Sequence, residues 1–226
     1  MITLTTRDLD LWWNKAELGP LPYPLDVPSI GDTEEERTRL RQEIQPDQRA
    51  EDLLRLLAEH EVAVHAVGST GRAIATSAGT RAVLAVLDDE KVSLTEIRPT
   101  SLARSIVEVL PAAKAGPGSS LSVRLEALKQ AAEPQEDEND PWGGEDDDRQ
   151  ALRKAGLSTQ DAALLDELTA GRVAGGQFGV TGSKTLVNWF DTDQGRYLVV
   201  TEDGWMSLSP ADNERIATRI EEVLSP

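Results

Sequence analysis

Two histidines, His60 and His65, bound the run His60-Glu61-Val62-Ala63-Val64-His65. A zinc protease helix needs its histidines at i and i+4, so that both imidazoles leave one face. Here the spacing is i+5, and the pair straddles a helix end and a strand, so a capping or half-exposed histidine is expected instead of zinc. The run Gly176-Gln177-Phe178-Gly179-Val180-Thr181-Gly182-Ser183-Lys184-Thr185 approaches a phosphate-binding loop. Ser183 separates Gly182 from Lys184, and a strand follows where the phosphate-holding helix N-terminus belongs, so the run reads as a glycine-punctuated β-turn. There is no Gly-x-Ser-x-Gly elbow, and two histidines in the first half leave no defensible Ser/His/Asp set. The absence of cysteine excludes disulfides, thiolate metal sites and a Cys nucleophile. No catalytic, cofactor-binding or metal residue is assigned, and a non-enzymatic binding protein is expected.

Charge narrows the partners. The chain of 226 residues carries a net charge of −17, a field that repels a nucleic-acid duplex and an anionic membrane alike. Residues 133–149 hold nine acids against one base. Such a run cannot bury apolar surface, and a solvated, disordered loop is expected. It also fails as a calcium loop, with Pro141 at a ligand position and Gly143 one place late. Of five tryptophans, Trp189 and Trp205 fall in strands and are expected in the core, while Trp142 in the acidic run is a candidate partner contact. The first eight residues lack the charged and apolar regions of a secretory signal, and no apolar run nears the ~20 residues that span a bilayer. A soluble, cytoplasmic protein without membrane insertion is the expectation.

The elements that would position a binding surface are well punctuated. A strand at 2–6 and a short helix around Leu9, Trp12 and Trp13 precede an extended stretch enforced by Pro20, Pro22, Pro24 and Pro28. Residues 33–44 read as a charged surface helix, and Pro46-Asp47 opens a second, with Leu53, Leu54, Leu56 and Leu57 on its apolar face. Period-two runs at 62–67, 72–77, 81–87 and 92–97 predict four strands, separated by Gly68, Gly71, Gly79 and Asp88-Asp89. A helix after Pro99 carries Leu102, Ile106, Val109 and Leu110, and another is expected over 123–132. The plan then recurs: a capped helix from Ser158, strands at 172–179, 185–190, 196–201 and 205–208, and a last helix opened by Ser209-Pro210 with Ile216, Ile220, Val223 and Leu224 on one face.

The halves match residue by residue. Leu53-Leu54-Arg55-Leu56-Leu57 aligns with Leu164-Leu165-Asp166-Glu167-Leu168, and Gly68, Thr70 and Gly71 with Gly179, Thr181 and Gly182, all at an offset of 111. Ser93-Leu94, Ile106 and Val109-Leu110 align with Ser207-Leu208, Ile220 and Val223-Leu224 at 114. The change places three extra residues near 191–194 of the second half, where an insertion costs little. Connections too short for helical crossovers predict a pseudo-twofold α+β fold with mostly antiparallel strands, built from half-repeats at about 47–111 and 157–226.

The segment Val187-Asn188-Trp189-Phe190-Asp191-Thr192-Asp193-Gln194-Gly195-Arg196-Tyr197-Leu198-Val199-Val200 resembles the signature of the EspG family: a strand ending in Asp-Thr, a turn, then Gly-Arg and a second strand. Gly204-Trp205, Ser209-Pro210, the prolines at 22–28, and Leu110-Pro111 running through Gly116-Pro117-Gly118 into Ser122-Val123 are similar to the family as well. The resemblance spans most of the chain outside 133–149. It implies one α+β domain over 1–226, with a central antiparallel sheet flanked by helical bundles. It also implies a cytosolic chaperone of type VII (ESX) secretion in actinobacteria, binding the apolar tip of a Pro-Pro-Glu (PPE) protein that is usually paired with a Pro-Glu (PE) partner. Carried onto this chain, the partner-binding residues are Ser77, Ala78, Gly79 and Thr80 of a hairpin loop, with a bundle of 158–169 and 211–224 that includes Ile216 and Ile220. Asp191, Thr192, Gly195 and Arg196 are structural in this reading, with Asp191 and Arg196 pairing across the hairpin. The alternative is an adaptor or regulatory protein of the same fold, binding another cytosolic partner.

Overall fold

In the computed structural model, which describes residues 1–45, 47–126 and 157–225, strand β1 (Ile2–Thr5) runs directly into α1 (Thr6–Lys15). The Thr5 hydroxyl accepts from the Asp8 amide at 3.0 Å and caps the helix. Helix α2 (Glu34–Glu43) and α3 (Gln48–Ala58) follow, the latter capped by Asp47, whose Oδ1 accepts from the Arg49 and Ala50 amides. A meander of β2 (Val62–Gly68), β3 (Gly71–Ala78), β4 (Arg81–Asp88) and β5 (Lys91–Ile97) leads to α4 (Leu102–Val107). The second half repeats the order with β6 (Leu121–Arg124), α5 (Thr159–Ala170), β7 (Arg172–Val180), β8 (Leu186–Thr192), β9 (Gly195–Glu202), β10 (Trp205–Pro210) and α6 (Asn213–Leu224). The strands form an antiparallel sheet in the order β1-β5-β4-β3-β2-β7-β8-β9-β10-β6, so the fold is α+β. Each meander's last strand takes the half's first strand beside it: Leu4 faces Val92, and Leu121 faces Leu208.

The chain divides into two compact units, one of residues 1–112, 176–183 and 213–226, the other of 113–175 and 184–212. In the first unit, one sheet face carries Ala63, Ile74, Val83, Ala85 and Leu94 against Leu53, Leu54 and Leu57 of α3 and Leu9 and Trp13 of α1. Small residues on the other face, Ala73, Ala75 and Ala82, let α4 lie close on β2, β3 and β4. Helix α6 packs on α4, and Leu102, Ala103 and Ile106 are matched at the offset of 114 by Ile216, Ala217 and Ile220, all buried. The second unit builds its core from Leu121, Val123, Leu157, Leu168, Tyr197 and Leu208.

Three expectations are corrected. Residues 121–124 are strand β6, because Leu121 and Val123 point inward while Ser122 and Arg124 point out, so the expected helix is corrected only at 123 and 124; residues 125–126 are helical, and 127–132 lie outside the described set. Ser209 and Pro210 end strand β10 opposite Leu198 and Tyr197, and the last helix starts later, at Asn213. Proline lacks a ladder donor, which suits a strand end. The three extra residues are not at 191–194: that turn, Asp193-Gln194, has two residues like Gly79-Thr80. They lie between β7 and β8, where residues 181–185 replace the two-residue turn Ser69-Thr70, and five minus two gives three. The acidic run 133–149 and Trp142 fall outside the described residues.

Candidate partner-binding surface

The hairpin turn between β3 and β4 holds the first group of expected partner residues. Ser77 and Ala78 are half-buried, and Gly79 and Thr80 are exposed at the tip, with Gly79 at φ +55°. The turn is braced on its flanks: the Glu61 amide donates to the Ser77 carbonyl at 2.9 Å, and Arg81 pairs with Glu96 at 3.0 Å. Val62, opposite Ser77, stands 36% exposed and supplies an apolar neighbour.

The second group sits differently. Ile216 and Ile220 are fully buried on the α6 face that packs against α4, so they present no surface while the helix stays docked. Glu214, Arg215, Thr218, Glu221 and Glu222 line the exposed side, and Val223 and Leu224 are the half-exposed apolar residues of α6. Helix α5 turns Leu164, Leu165 and Leu168 into the core of the second unit. Its N-cap closes between side chains: the Ser158 hydroxyl donates to the Asp161 carboxylate at 2.7 Å and accepts from the Asp161 amide at 3.1 Å.

The signature residues form a latch. Asp191 and Arg196 are directly paired across β8 and β9, and Arg196 donates Nε to Oδ1 at 2.7 Å and Nη2 to Oδ2 at 2.8 Å. Arg196 is completely buried, with its guanidinium 4.8 Å from the Trp189 ring centroid. Its amide donates to the Lys114 carbonyl and its carbonyl accepts from the Gly116 amide, so the connection at 114–118 lies along the start of β9. Tyr197 stacks on Phe190 and donates its hydroxyl to the Pro117 carbonyl at 2.9 Å. A side chain on Gly195, at φ +146°, would meet Gly116 backbone atoms at 2.7 Å. The Gly-Pro-Gly run and the Asp-Thr…Gly-Arg run, distant in sequence, thus meet in one structural contact. Their ordering makes this legible only as a resemblance, since neither run predicts the other by spacing.

The near-motifs place as turns and packing. His60 Nδ1 lies 2.8 Å from the Leu57 carbonyl at the end of α3. His65 packs edge-on against Tyr23, with centroids 5.0 Å apart, over the bare Cα of Gly179. Residues 176–185 run from strand to strand with Gly182 at φ +82° in the turn. Among the described residues, no group of three His, Asp or Glu side chains is placed to hold a metal ion. Trp189 is core, but Trp205 is 44% exposed with the Arg124 guanidinium 4.9 Å from its ring centroid, because it opens β10 next to the exposed turn Asp203-Gly204.

Burial lowers the His65 pKa below its ordinary 6.5, since the neutral ring is favoured inside. The unfolded chain therefore binds the proton more readily, and the stability tied to His65 is complete above pH 6.5 and lost as pH falls through the lowered value. Thermal unfolding should show a fall in melting temperature below pH 6.5 that is smaller in His65→Gln. An equal fall in both proteins would assign it elsewhere.

Fold and latch together define an α+β protein with a ten-stranded antiparallel sheet, whose exposed candidate elements are a strand turn and a helix end. A family model described as the EspG family matches residues 5–222, and the chain belongs to the EspG family. Among solved structures it is similar to the Mycobacterium tuberculosis type VII secretion system chaperone EspG5, determined in complex with a PE25-PPE41 dimer. That likeness has a TM-score of 0.71 at 14% identity and covers 99% of this chain and 95% of the other, which establishes the fold. Comparison with curated proteins gives no match. No described helix is long and apolar enough to cross a membrane.

Proposed function

We propose that this chain is a cytosolic chaperone of a type VII (ESX) secretion system. It binds the apolar tip of a PPE protein in a PE/PPE-type substrate and keeps it soluble and export-competent; it is a binding protein, not an enzyme. Membership of the EspG family over residues 5–222 carries this reading. The complex of similarly folded EspG5 with PE25-PPE41 supports the substrate class. We read the half-repeats 47–111 and 157–226 as a duplication within one EspG-like domain. The surface we assign combines the turn Ser77, Ala78, Gly79 and Thr80, the exposed Val62, and the half-exposed end of α6 at Val223 and Leu224. Apolar burial supplies about 25 cal/mol per Å², and a specific complex buries on the order of 1,200–2,000 Å² in total.

Solubility is the test. A PPE-type protein expressed alone should be largely insoluble, and co-expression of this chain should raise its soluble fraction several-fold. Leu224→Glu, a charge at a half-exposed apolar position, should weaken the complex by about 1–3 kcal/mol with the fold intact. An unchanged soluble fraction on co-expression would count against the chaperone reading.

A further inference from the structure

We infer that the first unit carries a second docking groove, for an extended protein segment in which apolar residues adjoin lysine or arginine. The groove has two compartments. Leu21, Tyr23 and Pro24 of the proline-rich stretch and Val67 of β2 line a depression of about 400 Å³. The β2–β3 and β4–β5 turns line a cleft of about 610 Å³, with Asp88 and Asp89 among its walls. Asp26 and Arg72 line both and pair with each other at 3.6 Å, so they mark the junction.

Each compartment selects a different chemistry. Tyr23 is 66% exposed, yet its ring is held edge-on against His65 with centroids 5.0 Å apart. A fixed, exposed aromatic beside Val67 offers apolar area at little ordering cost, which suits an aliphatic side chain. The β4–β5 turn instead carries Asp88, Asp89 and Glu90 against Lys91 alone. Asp88 and Asp89 are exposed, and among the described residues neither side chain makes a hydrogen bond or an ion pair. Arg72 is engaged by Asp26, so the local excess is negative, and the net charge of −17 adds to that field. A lysine or arginine gains these two carboxylates, whereas an acidic segment is repelled.

This groove is separate from the surface assigned above. Strand β3 has eight residues and spans about 25 Å, with the turn Ser69-Thr70 before it and Gly79-Thr80 after it. Both ends can therefore be occupied at once, and the groove serves a second partner without depending on the chaperone reading.

The test uses the full chain and a fluorescent peptide of leucines followed by arginines, read by anisotropy. Binding should saturate at one peptide per chain. Asp88→Asn/Asp89→Asn should weaken it about fivefold, the scale of lost exposed charge contacts, while Glu35→Gln/Glu59→Gln, the same charge change elsewhere on the first unit, should alter it by less than about twofold. Serines in place of the peptide's leucines should also weaken it, by emptying the apolar compartment. Hydrogen exchange of the parent chain should slow at 21–26 and 68–72 when peptide is added, a readout that needs no variant. Equal weakening by the two double variants, or a serine peptide that binds as well, would mean attraction by net charge alone and overturn the groove. Absence of saturable binding or of protection would overturn it too.

Discussion

Arg196→Ala should cost about 3–5 kcal/mol of folding stability, the range for breaking a buried ion pair by removing one partner. Arg196 is wholly buried and bonded bidentately to Asp191, so truncation leaves that carboxylate without its cation and opens a void beside Trp189. Arg196→Lys should also be costly, because an ammonium cannot reproduce the planar fork. The Arg81–Glu96 pair is the control: both side chains are over 40% exposed, and Arg81→Ala should change stability by about 1 kcal/mol or less. Denaturant unfolding of the three variants reads the difference directly. A loss below about 1 kcal/mol for Arg196→Ala would mean that the latch does not hold the fold.

Gly195→Ala should cost about 2–4 kcal/mol, through two effects that add. The residue sits at φ +146°, which L side chains rarely adopt, and its Cβ would lie 2.7 Å from the Gly116 backbone and 2.8 Å from the Lys114 carbonyl oxygen. Those atoms are held by the Lys114 and Gly116 hydrogen bonds to Arg196, so relief requires undocking the connection. Gly79→Ala isolates the conformational part: φ is +55° and nothing stands within 4 Å, so about 1 kcal/mol is expected. Equal losses at the two glycines in thermal or denaturant unfolding would show that no close approach exists at Gly195.

The meander strands were legible because period-two burial and turn residues agree: Gly71 lies at φ +105°, and Asp88 ends β4 with Asp89 in the two-residue turn that follows. Helices α3 and α5 announced themselves through Asp47 and Ser158. Strand β6 was hidden because four residues are too short for alternation to outweigh the helix-forming residues that follow. The offset was misplaced for a specific reason: Gly71 opens strand β3, while its partner Gly182 lies inside the longer connection, so matched glycines concealed unequal turns. At the candidate site, the exposed turn was readable from the hairpin pattern. The burial of Ile216 and Ile220 was not, because an apolar stripe states that a helix face is covered and not that α4 covers it.

Co-expression of this chain with the PE/PPE-type pairs of its own genome, followed by size-exclusion chromatography, tests the chaperone assignment most directly. The assignment predicts that one pair co-elutes with the chain as a stable complex and remains associated at raised salt, since screening weakens exposed charge contacts but not apolar burial. Failure of every pair to co-elute with well-folded chain, while the same chain captures an unrelated cytosolic protein, would contradict it.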